Sequence, residues 1–281
     1  MTPFTEASKL RVLVTGAAGR IGTVLRTHWR GRYSLLRLAD VAPQEPAGPG
    51  EEVQTVDIRD AAALEQSMRD IDCVVHLAGI PREDTWENIL ALNIEGCYNV
   101  FESARRQGVR RVVFASSNHV IGFHRRDNVV DLGSQLRPDS RYGVSKVFGE
   151  ALGSMYADKY GLSVACLRIG PFRTPDQPGS PRELMNWLSH ADMVQLASRC
   201  VEHPGYRFVV VYGVSNNQRN RWDNARVDWL GYRPQDDAED FAAQVLADPA
   251  PEDPVAARFH GGIYCSREFV GDPDSVDDGR Y

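Results

Sequence analysis

Between Leu10 and Ile169, short aliphatic and β-branched runs alternate with stretches whose apolar positions recur at helical spacing. The short runs predict strands at Arg11–Thr15, Leu35–Ala39, Val53–Val56, Cys73–Leu77, Arg111–Ser116 and Val164–Ile169. Between them, helical patterns fill Ile21–Trp29, Ala61–Met68, Thr85–Gln107 and Tyr142–Tyr160, and Pro43–Gly50 reads as a loop. Strands separated in this way by helices imply a parallel sheet covered on both faces, an α/β fold of the doubly wound kind. After Gly170 the texture changes: Pro171–Pro181 holds four prolines in eleven residues, too poor in N–H donors for a regular element. Shorter helical patterns follow at Arg182–Leu188 and Ala191–Val201, with one strand at Phe208–Tyr212. The expected organisation is an extension over residues 1–9, a sheet domain over 10–170, a small lobe over 171–270 covering the carboxyl ends of the sheet, and a disordered acidic tail over 271–281.

Composition narrows the function classes. Hydrophobic residues make up 42% and charged residues 25%, the balance of a globular chain with a full core. A net charge of −6 gives no reason to expect nucleic acid or an anionic membrane as partner. No apolar run approaches the roughly 18 residues that span a bilayer, and Met1–Lys9 lacks the apolar stretch of a signal peptide, so the chain is expected to work in the cytoplasm. Cys73, Cys97, Cys166, Cys200 and Cys265 are odd in number and never spaced as CxxC, which predicts buried free thiols and no metal site.

Candidate chemistry begins where the first strand ends. Gly16-Ala17-Ala18-Gly19-Arg20-Ile21-Gly22 is a GxxGxxG turn opening a helix, where glycines let backbone approach a pyrophosphate at a helix N-terminus. Asp40 ends the second strand, 18 residues after Gly22, where a carboxylate can accept both ribose hydroxyls of NAD and repel the 2′-phosphate of NADP. Arg20 and Arg37 are the cations that could weaken this preference. Asp57 and Ile58 follow the third strand and Leu77-Ala78-Gly79 the fourth, positions that suit the adenine and pyrophosphate edges.

The second cluster is Tyr142 and Lys146, four residues apart and so on one face of a helix. A nearby ammonium together with a positive nicotinamide ring would favour the phenolate, making tyrosine a usable base. Of 32 basic residues only Lys9, Lys146 and Lys159 are lysine, so a lysine here is a choice against the chain's habit. Ser117, at the end of the fifth strand in Ser116-Ser117-Asn118-His119, can hold a substrate oxygen.

Taken together, GxxGxxG, Asp40, Leu77-Ala78-Gly79, Asn93, Ser117 and Tyr142–Lys146 resemble the extended short-chain dehydrogenase/reductase family. The resemblance runs to about residue 265 and implies a Rossmann fold, bound NAD contacted also by Asn93 and Ile169, and a Ser-Tyr-Lys mechanism. Less common strings, Ser116-Ser117-Asn118-His119-Val120-Ile121-Gly122-Phe123, Pro138-Asp139-Ser140-Arg141-Tyr142-Gly143, Trp187-Leu188-Ser189, Val211-Tyr212-Gly213 and Trp222-Asp223-Asn224, are similar to those of the uronate dehydrogenases within that family. These enzymes oxidise cyclic galacturonate or glucuronate at C1 to an aldarolactone. The resemblance implies that Ser117, Asn118, His119 and Tyr142 line the sugar and that Arg182 takes its carboxylate. The chain departs from the pattern at Pro81 and Pro171, where the family has serines that bond sugar hydroxyls; Arg173 or Thr174 could substitute. A dehydrogenase of a neutral sugar or polyol, a nucleotide-sugar epimerase and a non-catalytic dinucleotide sensor remain the competing readings, and a homo-oligomer is left open.

Overall fold

Alternation along each strand sends side chains to both faces of the sheet, and helices cover both. In the computed structural model residues 6–276 are described. The strands are β1 (Arg11–Thr15), β2 (Leu35–Asp40), β3 (Glu51–Thr55), β4 (Cys73–His76), β5 (Arg111–Ser117), β6 (Ser163–Ile169) and β7 (Phe208–Gly213). They form one sheet in the order β3-β2-β1-β4-β5-β6-β7, all parallel. This is the doubly wound Rossmann arrangement, whose order reverses between β1 and β4 and leaves a crevice at the carboxyl ends there. The helices are α1 (Arg20–Trp29), α2 (Ala61–Ser67), α3 (Trp86–Ile89), α4 (Gly96–Arg106), α5 (Arg141–Tyr160), α6 (Glu183–Asn186) and α7 (His190–Glu202), followed by the short α8 (Ala242–Val245) and α9 (Ile263–Ser266). Val12 and Val14 pack with Leu25 and Trp29 of α1 and with Met193, Leu196 and Cys200 of α7. On the other face, Leu13 and Val112 meet Leu64 of α2, Val100 and Phe101 of α4, and Tyr156 of α5.

Three differences from the sequence reading have local causes. The helix expected over Thr85–Gln107 runs between caps at those two residues but widens to π-helical turns at Leu90–Glu95, between α3 and α4. The helix expected over Arg182–Leu188 shortens to α6 because Trp187 turns extended. The strand after Gly170 pairs with β6 from Val164↔Phe208 to Ile169↔Gly213, and its side chains alternate between the two main apolar clusters, so β7 and α7 join the sheet layers. Of the expected tail, Pro273–Ser275 forms a single 3-10 turn, and residues 277–281 lie outside the described residues. All five cysteines are free and buried, and among the described residues no helix is long and apolar enough to cross a membrane.

The long helix α5 sets the geometry of the site. Ser140 caps it, its hydroxyl accepting from Gly143 N, and Gly161 ends it at φ +73°. Gly149 lets it lie against β5, since a Cβ there would come within 2.3 Å of the Phe114 ring. Tyr142, Lys146 and Glu150 recur every four residues along the buried face. Glu150 takes two hydrogen bonds of 2.9 Å from Arg168 of β6 and one of 2.7 Å from Ser116 of β5, while Arg168 Nη1 donates to the Tyr212 hydroxyl of β7 at 3.2 Å. Arg168 and Glu150 are 3% and 5% exposed, so removing one strands the other's charge away from water. Glu150→Ala is expected to lower unfolding stability by about 3–5 kcal/mol. Denaturant titration checks it: a loss below about 1 kcal/mol, the worth of an exposed pair, would mean that apolar contacts alone hold α5.

Candidate active site

The crevice opens into a cleft of about 860 Å³, towards the upper end of the ~300–1,000 Å³ range of small-ligand sites. Its floor is the glycine turn. Gly16 has φ +74°, and a Cβ there would come within 2.6 Å of Ala78 N, so only glycine lets the turn close on the Leu77–Ala78 backbone. Gly22 is likewise packed on Ala17, with a virtual Cβ 2.5 Å from its carbonyl oxygen. Asp40 braces the turn: Oδ2 accepts from Ala18 N and Oδ1 from Ala42 N, each at 2.9 Å. Gly19, Arg20, Ile21, Asp57, Ile58, Gly79 and Ile169 also line the cleft, with Ile169 directly across the ladder from Ser117. Glycine backbone at the N-terminus of α1, with a carboxylate at the end of β2, is the donor and acceptor set that an adenosine pyrophosphate requires, so these residues fit NAD. Arg37 does not face this cleft. Its guanidinium is buried against Glu52 Oε2 at 2.7 Å and the carbonyls of Ser67 and Arg69.

Asn93 is the cofactor candidate that falls outside the cleft lining. From the wide turns before α4, its Oδ1 accepts from Ile80 N at 2.8 Å, and its Nδ2 donates to Ile80 O and to Ser145 Oγ. It is 5% exposed and holds the loop after β4 from behind. Asp57 is tied to Arg59, whose guanidinium and backbone N–H hold its carboxyl below the usual carboxylate range.

At the other end of the cleft stand Ser117, Tyr142 and Lys146, all less than a tenth exposed. Lys146 Nζ donates to Ala115 O at 2.8 Å and lies 5.5 Å from the centre of the Tyr142 ring. Burial lowers the lysine pKa to about 8 and raises that of Tyr142, with the Ser117 hydroxyl bond pulling the phenol back down. At Tyr142 desolvation outweighs what the protein neighbours give back, whereas the phenolate is expected to be favoured by the lysine together with a positive nicotinamide ring.

Beyond Tyr142 the wall is polar. The Asn118 amide, in the orientation its neighbours require, donates to Ile169 O at 3.0 Å and accepts from Arg182 Nη2 at 3.2 Å. Arg182 Nε and Nη2 donate to His260 O, leaving Nη1 without a protein partner among the described residues. Arg182 lines the cleft and makes no ion pair among the described residues, and burial lowers its pKa. Arg173 reaches the cleft but makes a two-pronged contact with Glu183, and Thr174 is exposed outside the lining. Two participants escape a reading of the sequence. Tyr264 stacks on His119 at 3.8 Å, and Asp139 Oδ2 lies 2.7 Å from His119 Nδ1. Tyr264 joins from over 120 residues away, and only tertiary contact reveals it.

The comparisons agree with this geometry. Residues 12–191 match the model of the NAD dependent epimerase/dehydratase family. The chain is 44% identical over 266 residues to the uronate dehydrogenase of Pseudomonas putida, covering 94% of this chain and 96% of that one. A crystal structure of a mutant uronate dehydrogenase from Agrobacterium tumefaciens complexed with NAD superposes with a TM-score of 0.87 at 42% identity, covering 92% and 97% of the two chains. An NAD-dependent glucose-6-phosphate dehydrogenase of Haloferax volcanii is 37% identical over 251 residues, 82% of this chain and 95% of its own. With the sheet order, the glycine turn and these similarities in agreement, the chain belongs to the NAD dependent epimerase/dehydratase family, in its group of uronate dehydrogenases.

Proposed function

We propose that this chain oxidises a cyclic hexuronate at C1 to an aldarolactone with NAD. The observation that carries the substrate class is Arg182, a cleft-lining guanidinium with no ion pair among the described residues, beside the Ser117–Tyr142–Lys146 line. A half-buried guanidinium that makes no ion pair among the described residues suits an anionic ligand. In this reading Arg182 Nη1 meets the sugar carboxylate and fixes which end of the ring faces Tyr142. Ser117 Oγ accepts from His119 N at 3.2 Å and bonds the Tyr142 hydroxyl, so its proton lies where it can turn to hold the C1 oxygen. Tyr142 Oη takes the C1 hydroxyl proton, and Lys146, anchored on Ala115 O, holds the ribose edge and stabilises the phenolate. NAD, when bound, supplies the hydride acceptor and a positive ring charge beside the tyrosine. Gly16, Gly19 and Gly22 cradle its pyrophosphate, and Asp40, Asp57 and Ile58 hold its adenosine end. The five buried free thiols suit work in the cytoplasm. A neutral sugar or sugar phosphate is the second reading, favoured by the glucose-6-phosphate dehydrogenase relative and by Pro81 and Pro171 in the wall.

Three measurements test this reading. Steady-state kinetics should show a clear preference for NAD over NADP. Asp40→Ala should reduce kcat/KM for NAD by about 10- to 150-fold, the worth of a charge-assisted hydrogen bond, with far less effect on NADP. Tyr142→Phe should bind NAD normally yet lose roughly 10²- to 10⁴-fold in kcat, as removal of a general base requires. Near-normal turnover in that variant would exclude Tyr142 as the base. Arg182→Ala should cost about 10- to 150-fold in kcat/KM on galacturonate or glucuronate and much less on galactose. Equal activity of the unmutated enzyme on galactose and galacturonate, unchanged by Arg182→Ala, would leave the neutral-sugar reading in its place.

A further inference from the structure

The side chains at the sugar end are rich in donors. Arg182 can only donate, the Asn118 amide is committed to Ile169 O and Arg182, and Ser117 Oγ already accepts from His119 N. A sugar hydroxyl bound there needs an acceptor as well, and His119 is placed to be one. Its ring lines the cleft, stacked at 3.8 Å on Tyr264 and edge-on to Tyr142 at 5.8 Å, so its plane is fixed by aromatic contacts. Nδ1 is turned away from the cleft to Asp139 Oδ2 at 2.7 Å, and Nε2 has no protein partner among the described residues.

Asp139 is built into the wall rather than exposed to the ligand. Its side chain is fully buried, with Oδ1 accepting from the Ser140 hydroxyl at 2.7 Å at the N-terminus of α5. Two glycines make room for the carboxylate. A Cβ on Gly122 would fall 1.9 Å from Oδ2, and one on Gly261 2.0 Å from the same oxygen. Gly122 follows the turn carrying His119, and Gly261 lies three residues before Tyr264. The loop after β5, the start of α5 and the segment carrying Tyr264 therefore converge on one carboxylate oxygen that faces a histidine nitrogen.

We propose that Asp139 is the positioning residue of the substrate site, locking His119 in the form protonated on Nδ1 so that Nε2 meets a sugar hydroxyl as an acceptor. A carboxylate can only accept from Nδ1–H, and in the neutral imidazole this leaves the Nε2 lone pair bare. The role rests on the proposed sugar dehydrogenase activity, but the proton's place on the ring does not. Asp139→Asn keeps the shape and removes the bias, because an amide can turn its NH₂ towards Nδ1 and invert the tautomer.

Long-range ¹H–¹⁵N correlation spectroscopy on the full chain, with His119 assigned by its loss in His119→Gln, reads the tautomer directly. The expected result is Nδ1–H in the unmutated protein and a shift towards Nε2–H in Asp139→Asn. Kinetically, Asp139→Asn should lose about 5- to 150-fold in kcat/KM on the best sugar, the range for an unmet buried hydrogen bond, with the Kd for NAD unchanged. His119→Gln/Asp139→Asn should be no worse than His119→Gln alone, because the aspartate acts through the histidine. An Nε2–H histidine in the unmutated protein overturns the proposal even if every Asp139 variant fails to fold. Fully additive losses, or a weakened Kd for NAD in Asp139→Asn, also overturn it, since they show a merely structural carboxylate. An enzyme inactive on uronates but active on another sugar instead overturns the substrate reading, and the same measurements then proceed on that sugar.

Discussion

The ion pair between Glu150 and Arg168 is the constraint from which the reacting end takes its shape. It joins α5 to β5 through Ser116, to β6 through Arg168 and to β7 through Tyr212, all out of reach of water. Two charges in such a place contribute little net stability against a well-packed apolar alternative. What they supply is register. An apolar contact tolerates a slide of an ångström along the helix, whereas a two-pronged guanidinium–carboxylate contact does not. Lys146 lies one turn before Glu150 and Tyr142 one turn before that, so holding the glutamate fixes how far the lysine reaches towards Ala115 O and where the phenol stands beside Ser117. The helix accepts glycines in its interior for the same end, trading about 1 kcal/mol of propensity at Gly149 for contact with Phe114.

The two ends of the cleft are made by different means. The cofactor end is backbone: a glycine turn, a helix start, and small residues where chain meets chain. The sugar end is side chain, drawn from the loop after β5, the start of α5, α6 and the segment around residues 260–264. Backbone features leave local signatures, and that difference governs what the sequence reveals. The strand runs, the GxxGxxG turn, Asp40 and the Tyr142–Lys146 spacing were all readable because each is a pattern within a few residues. Asp139 stands only 20 residues from its histidine, yet no spacing rule announces that pair. Arg173 looks available in the sequence but pairs with Glu183, and the amide of Asn93, expected to touch the cofactor, bonds Ile80 and Ser145. Partnership between side chains is settled by tertiary structure. It is the part of a site that one chain read in order conceals.

Asp40 carries a consequence for how such an enzyme could change. The same carboxylate proposed to select against a 2′-phosphate also anchors Ala18 N in the glycine turn, and Arg37, the nearby cation of its own strand, is locked to Glu52 of β3. A lineage drifting towards NADP could not gain by losing Asp40 alone, because the turn would loosen before any phosphate was welcomed. It would need a cation turned to the phosphate, either Arg20 already in the cleft wall or a new one at Val41, which is 63% exposed, together with a substitute brace for the turn. Neither change is useful without the other. Cofactor preference in this fold is thus guarded by an adaptive valley as well as by charge.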